Sequence, residues 1–217
     1  MNANDERQHS VRLPMLTELV LASSNQGKRR EFERLLLPLG VTVIDQASLG
    51  VEPAPEPHAT YLENALAKAR HASALTGKPA LADDSGLSVS ALGGAPGVRS
   101  ARYAEPTAGL SQDAANNAQL VRALSGVSHR EAMYVALLVL VRGPEDPLPI
   151  VAQGLWVGEI IDQPRGEGGF GYDPHFWLPA LGKTAAELEP EIKNTLSHRA
   201  IATQLLLAAM RQCSLIG

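Results

Sequence analysis

Residues 131 to 141 read EAMYVALLVLV, an almost unbroken apolar run rich in valine and leucine. A strand with one wet face alternates polar and apolar residues. A run without that alternation predicts a central strand buried on both faces, and both faces can be buried only if other structure covers the sheet from either side. The chain is therefore expected to be α/β, with helices on a mixed sheet.

With 217 residues, 45% of them hydrophobic, the chain has material for one sizeable core. Nineteen basic residues stand against 23 acidic ones, a net charge of −4, so no overall positive field exists to hold a nucleic-acid backbone. Any polyanion bound here needs a local cationic site or a metal. Cys213 is the only cysteine, which excludes an internal disulfide and cysteine-rich metal clusters and fits a reducing cytoplasm. No apolar run reaches the roughly 18 residues of a membrane-crossing helix, and no membrane partner is expected. Residues 1–17 read as a disordered leader without a signal core, and residues 18–217 as a single domain.

Along the chain, ELVLASS predicts a strand, and NQGKRREFERLLLPLG a helix with Phe32, Leu35, Leu36 and Leu39 on one face. The proline-rich VEPAPEPHA bars regular structure. Thr60 and Glu63 form a capping-box pattern that opens an alanine-rich helix ending near TGKP. PALAD and GLSVSAL read as two strands on either side of an acidic turn, and SQDAANNAQLVRAL as a helix. PIVAQGLWVGEII is the expected neighbour of the apolar strand, joined to it by RGPEDPLP. RGEGGFGYDP holds too many glycines for a regular element. Thr184 and Glu187 offer a second capping box, and Ser197 caps a final helix, SHRAIATQLLLAAMRQC.

Polar groups recur where strands end, at SSNQGK, DDSG, GGFGYD and KNTLSHR. In open α/β sheets ligands lie outside strand ends, so these segments are candidates to face one cleft. SSNQGK enters a helix N-terminus with Lys28 just inside, an anion site through backbone N–H groups and the helix dipole, or an ordinary turn capped by Asn25. The adjacent carboxylates Asp83 and Asp84 suit a hard cation such as Mg²⁺, which takes one or two carboxylates plus substrate phosphates; alternatively they form a capped turn. Glu56 and Glu63 are candidates to complete that site, although Glu63 already has a capping role. Phe170 and Tyr172 offer faces on which a base can stack, or pack in the core. Lys193, His198 and Arg199 gather near a helix start, where positive charge opposes the dipole and suits phosphate or a carbonyl-bearing base.

Taken in order, LASSNQGKRREFERLL, YLENALAKARHA, LADDSGLSVSALGGAPGVRSARY, GGFGYDPHFWLP and GKTAAELEPEIKNTLSHRAIA closely resemble the bacterial non-canonical purine nucleoside triphosphate pyrophosphatases, relatives of inosine triphosphate pyrophosphatase. The match runs from about Leu19 to Met210. The resemblance implies an elongated central mixed sheet flanked by helices, forming two lobes with the active site in the cleft between them. It also implies a homodimer and Mg²⁺-dependent hydrolysis of dITP, ITP and XTP to the monophosphate and pyrophosphate. Asp84 would be the catalytic proton acceptor and, with Glu56, a metal ligand. Ser23, Ser24, Asn25, Gln26, Gly27 and Lys28 would bind the triphosphate, and Ser85 the substrate. Phe170, Gly171, Tyr172, Asp173, Lys193, His198 and Arg199 would line the nucleotide site. Serine at position 24 departs from the glycine of several relatives, and the proline-rich run around Glu56 from their usual sequence. A pyrophosphatase for modified pyrimidine nucleotides and a non-catalytic nucleotide sensor are the alternative readings.

Overall fold

The computed structural model describes residues 15–23 and 26–217. Seven strands form one mixed sheet in the order β2-β1-β3-β4-β5-β6-β7. β1 (Glu18–Ala22) runs into α1 (Gln26–Leu36), which crosses back to β2 (Thr42–Asp45), parallel to β1. After the proline-rich connector, α2 (Tyr61–Thr76) leads to β3 (Ala80–Val89), parallel to β1 on its other side. A 3₁₀ turn (Gly97–Arg102) and α3 (Gln112–Ala123) precede β4 (Glu131–Val141). β4, β5 (Ile150–Ile160), β6 (Phe176–Leu178) and β7 (Lys183–Thr184) follow in antiparallel succession, and α4 (Pro190–Leu196) and α5 (His198–Gln212) close the chain.

The apolar run is indeed the central strand: β4 is fourth of seven and buried from Tyr134 to Val141. Helices cover both faces, as that burial demanded. On one face, Ala65, Ala69 and Ala72 of α2 pack on Val20, Ala82 and Val139. On the other, Phe32 and Leu36 of α1 and Leu206 and Met210 of α5 pack on Leu19, Leu21, Leu81 and Leu138. Further along that second face, Leu120 and Leu124 of α3 join Leu87, Tyr134, Trp156 and Phe176 in a separate cluster. The two clusters leave a polar interval on β3, between Leu81 and Leu87, where Asp83 and Ser85 lie.

Two expectations need correction. The acidic segment is no turn: β3 pairs with β4 without a break from Ala80↔Val141 to Val89↔Ala132, so both carboxylates are mid-strand. Gly86 is needed for close approach. A Cβ there would lie 2.5 Å from Ser100 Oγ, 2.6 Å from Gly97 O and 2.8 Å from Tyr61 Oη. The Thr60 capping box forms by half: Thr60 Oγ1 accepts from Glu63 N at 3.2 Å, but the Glu63 carboxylate takes the threonine hydroxyl rather than its N–H. The box at Thr184 is complete.

Of the expected leader, residues 1–14 lie outside the described residues. Leu16 is buried in the core and donates its N–H to Leu215 O at 2.7 Å. Among the described residues no helix is long and apolar enough to cross a membrane.

Candidate active site

What places two carboxylates mid-strand in a ligand cleft is the end of the neighbouring strand. β1 pairs with β3 only as far as Ala22↔Ala82. Beyond that point β3 loses its partner on one side, and Asp83 and Asp84 sit in the notch. Ser23, Lys28, Glu56, Lys68, Asp83, Asp84 and Ser85 line this cavity of about 450 Å³, with Arg102 on its rim. It is the crevice beyond a parallel strand's carboxyl end, where α/β sheets bind ligands.

Because consecutive strand residues point to opposite faces, the two carboxylates meet different partners. Asp83 faces α1 and α5: its Oδ1 lies 3.2 Å from Lys28 Nζ, and its Oδ2 accepts from Arg199 Nε at 3.0 Å. The Ser85 hydroxyl, two residues on and so on the same face, also bonds Asp83. Burial opposes ionisation of Asp83, yet Lys28 and Arg199 outweigh it and hold the carboxyl well below the usual range. Asp84 faces α2. Its Oδ1 accepts from Lys68 Nζ at 3.0 Å, while its Oδ2 is buried with no hydrogen-bond partner. Here burial prevails over Lys68, and the nearby Glu56 and Asp83 add to it, so the proton affinity of Asp84 is raised.

Lys68 also bonds Glu56 Oε1 at 2.7 Å, and Glu56 Oε2 lies 3.2 Å from Arg102 Nη1. Burial would raise the Glu56 pKa, but the two cations lower it. Lys68 itself is raised, its carboxylate partners overcoming desolvation, whereas burial lowers Lys28 despite Asp83. The positive partners of the acidic pair are thus Lys28, Arg199 and Lys68. Lys68 is a residue that motif reading passed over. Its signal lay in the helix period: it follows buried Asn64 by four residues and precedes buried Ala72 by four, a lysine on the inward face of an alanine-rich helix.

Whether a divalent cation fits can be asked of the donor set. Among the described residues no group of three or more His, Cys, Asp or Glu gathers to cage a metal. The unpartnered Asp84 Oδ2, with Glu56 in the same cavity, matches the one-or-two-carboxylate contribution typical of Mg²⁺ sites completed by substrate phosphates. Glu63 stays at the α2 cap, away from that set.

Ser24 and Asn25 lie outside the described residues. Gln26 opens α1, and Gly27 falls in its first turn. The other sequence-predicted residues form a second group on the α5 face. Asp173 is buried; its Oδ2 accepts from Phe170 N at 2.8 Å and pairs with Lys193, and its Oδ1 accepts the Tyr134 hydroxyl at 3.2 Å. Lys193 Nζ stands 4.9 Å above the ring of Phe170, which is 61% exposed. Tyr172 does not offer its ring as expected. It is buried in the core, where the apolar ring is favoured, and donates its hydroxyl to Ser100 O at 2.7 Å. Gly171 is gripped from α3: its N–H donates to Asp113 Oδ2 at 2.8 Å and its carbonyl accepts from Asn117 Nδ2 at 2.8 Å.

His198 links the two groups. Its ring stacks on Tyr134 at 4.8 Å, and its neighbour Arg199 holds Asp83. Burial, helped by the Arg199 charge, depresses the imidazole pKa to about 3, so the ring is neutral at physiological pH with a buried, unpartnered Nδ1.

The Ham1 family model matches residues 19–209. A dITP/XTP pyrophosphatase of Bordetella pertussis is 62% identical over 198 residues, 91% of this chain and 93% of that protein. A second relative of the same description, from Ralstonia nicotianae, is 62% identical over 196 residues, 90% of this chain and 98% of its own length. Among solved structures, a HAM1 protein from Coxiella burnetii superposes with a TM-score of 0.84 at 44% identity, covering 91% of this chain and all of the other. On a match that spans nearly the whole described sheet and both groups of site residues, the chain belongs to the Ham1 family.

Proposed function

We propose that the protein hydrolyses dITP, ITP and XTP to the corresponding monophosphate and pyrophosphate, a Mg²⁺-dependent cleansing of the nucleotide pool. The observation that carries this is Asp84, a buried carboxylate of raised proton affinity with one oxygen held by Lys68 and the other unpartnered. Such a group is a general base, able to take a proton from a water that attacks the α-phosphorus in line. Lys28 and Lys68 neutralise phosphate charge, and Asp83 keeps Lys28 and Arg199 in place. Held by Asp84 and Glu56, Mg²⁺ would supply further neutralisation of the phosphates and of the departing pyrophosphate.

Base selectivity falls to the second group. Hypoxanthine and xanthine carry a 6-oxo acceptor where adenine carries an amino donor. Donor hydrogens of Lys193 and Arg199 not taken by Asp173 and Asp83 would lose their acceptor with ATP, a mismatch able to discriminate by up to roughly 10⁴–10⁵. Phe170 supplies the exposed ring for stacking. The names of the relatives support the substrate class. The reading carries a cytoplasmic homodimer, for which the exposed Val151, Leu155 and Val157 of β5 offer an apolar strip.

The test is pyrophosphate release from ITP, dITP, XTP, ATP, GTP and dUTP, with and without Mg²⁺, for wild type and Asp84→Asn. Metal-dependent turnover of the first three is expected, with a loss of about 10²–10⁴-fold in the variant, the usual contribution of a general base. Preference for a pyrimidine nucleotide, or tight binding without turnover, would overturn it.

A further inference from the structure

The cavity around Asp84 does not end at Glu56. Glu56, Val98 and Arg102 also line a second, more open depression of about 660 Å³, whose other walls include His58 and Arg99. Each cation on the floor of the first cavity faces a carboxylate: Lys28 faces Asp83, and Lys68 faces both Asp84 and Glu56. A triphosphate arriving there meets these lysines already facing carboxylates, so positive charge beyond them would add to the hold of the α1 N-terminus. Among the described residues lining the two spaces, the further arginines are Arg99 and Arg102.

Their arrangement suits a polyanion. Both lie on the 3₁₀ turn Gly97–Arg102, three residues apart, and with three residues per turn they fall on one side of it. Two like charges so placed repel unless an anion joins them. Arg99 is exposed and makes no ion pair among the described residues. Arg102 holds Glu56 through a single contact with its side chain 54% exposed, a pair weak enough to exchange for phosphate oxygens, which a guanidinium grips in bidentate fashion. Glu56 would keep its shorter bond to Lys68 when Arg102 leaves.

We infer that the Arg99–Arg102 turn forms a diphosphate subsite: the β- and γ-phosphates of the substrate, and pyrophosphate after cleavage, occupy the depression beside His58, with Arg102 exchanging Glu56 for phosphate. The subsite rests on reading the Asp84 cavity as the place of the α-phosphate. It divides the product-binding surface, with the nucleoside monophosphate on the α5 side and pyrophosphate against the 3₁₀ turn.

Calorimetric titration with inorganic pyrophosphate, and separately with inosine monophosphate, tests this on wild type, Arg99→Ala, Arg102→Ala, both lysine variants and Arg122→Ala, a surface control on α3. Each arginine-to-alanine change is expected to weaken pyrophosphate about tenfold or more, as loss of a charge-assisted bond does. Lysine at either position should recover part of that loss, and monophosphate affinity should stay within about twofold. Pyrophosphate affinity that is undetectable in wild type, unchanged in both alanine variants, or weakened in parallel with monophosphate affinity overturns the subsite. Absence of ITP turnover in wild type would instead overturn the proposed reaction, since the pyrophosphate titration is read without catalysis.

Discussion

Lys68 tunes Asp84, and its removal has a defined sign. Burial raises the Asp84 pKa and Lys68 is the chief influence lowering it, so Lys68→Met should move the acidic limb of the kcat/KM profile to higher pH as well as weaken phosphate binding. An acidic limb that stays in place would show that Asp84 does not set it. His198 makes a separate statement through stability. Its folded pKa, about 3, lies below the roughly 6.5 of an unfolded histidine, so the unfolded chain binds the proton first. The stability of the neutral, stacked ring is therefore complete above pH 6.5 and is lost as pH falls toward 3, with a slope approaching about 1.4 kcal/mol per pH unit. Thermal melts of wild type and His198→Gln should differ most above pH 6.5 and converge on acidification; parallel curves would mean that the imidazole has the same proton affinity in the folded and unfolded chain. The contrast of Asp83 and Asp84 is also a matter of single residues. The sequence marked both carboxylates as candidates, and the resemblance singled out Asp84 as the proton acceptor. That Asp83 meets Lys28 and Arg199 while Asp84 meets Lys68 was not legible, because strand alternation decides it and an acidic turn has none.

The elements meet at glycines whose roles are steric. Gly154 of β5 lies directly under the start of α5: a Cβ there would fall far inside contact of His198 O and 2.6 Å from Ala202 N. Helix α5 can sit on β5 at this depth only because the side chain is missing, and that depth carries His198 and Arg199 to Tyr134 and Asp83. Gly154→Ala should therefore destabilise by about 3 kcal/mol or more, the upper range for overpacking, and raise KM for the nucleotide in whatever fraction folds. A melting temperature within a degree of wild type would refute the close seating. Strand and helix identities were readable from periodicity, including the buried β4 and the Ser197 cap. The continuity of β3 was not. Asp, Asp, Ser and Gly each favour turns locally, and the ladder to β4 that overrides them joins residues about 50 positions apart. Likewise the alternation of β5, buried on one side and exposed on the other, shows only once its neighbours are known.

At the scale of the molecule, the groups proposed to bind base and phosphate sit at different places on the sheet yet share one fixed point, the carbonyl of Ser100. Tyr172 donates its hydroxyl to that oxygen at 2.7 Å, and Asn116 Nδ2 donates to it at 3.2 Å. Tyr172 belongs to the loop that presents Phe170, and Ser100 to the 3₁₀ turn that presents Arg99 and Arg102. Asn116 adds bonds to Ala101 O at 3.3 Å and from Ala104 N at 2.8 Å, while Asn117, the next residue of α3, holds Gly171. Helix α3 thus ties both walls of the cleft to one rigid element, which neither its amphipathic pattern nor any motif announced. Losing either donor leaves the buried carbonyl one partner; losing both orphans it. The double change should therefore cost more than the sum of its parts. Tyr172→Phe is expected to cost about 1 kcal/mol and Asn116→Ala more, since it also releases Ala101 O and Ala104 N; together they should cost at least about 1 kcal/mol beyond additivity, by the penalty for an unsatisfied buried acceptor. If the tie also serves function, the double variant should lose selectivity for ITP over ATP and affinity for pyrophosphate together. Additive stabilities, with only one of those two readouts disturbed, would show that the walls are built independently.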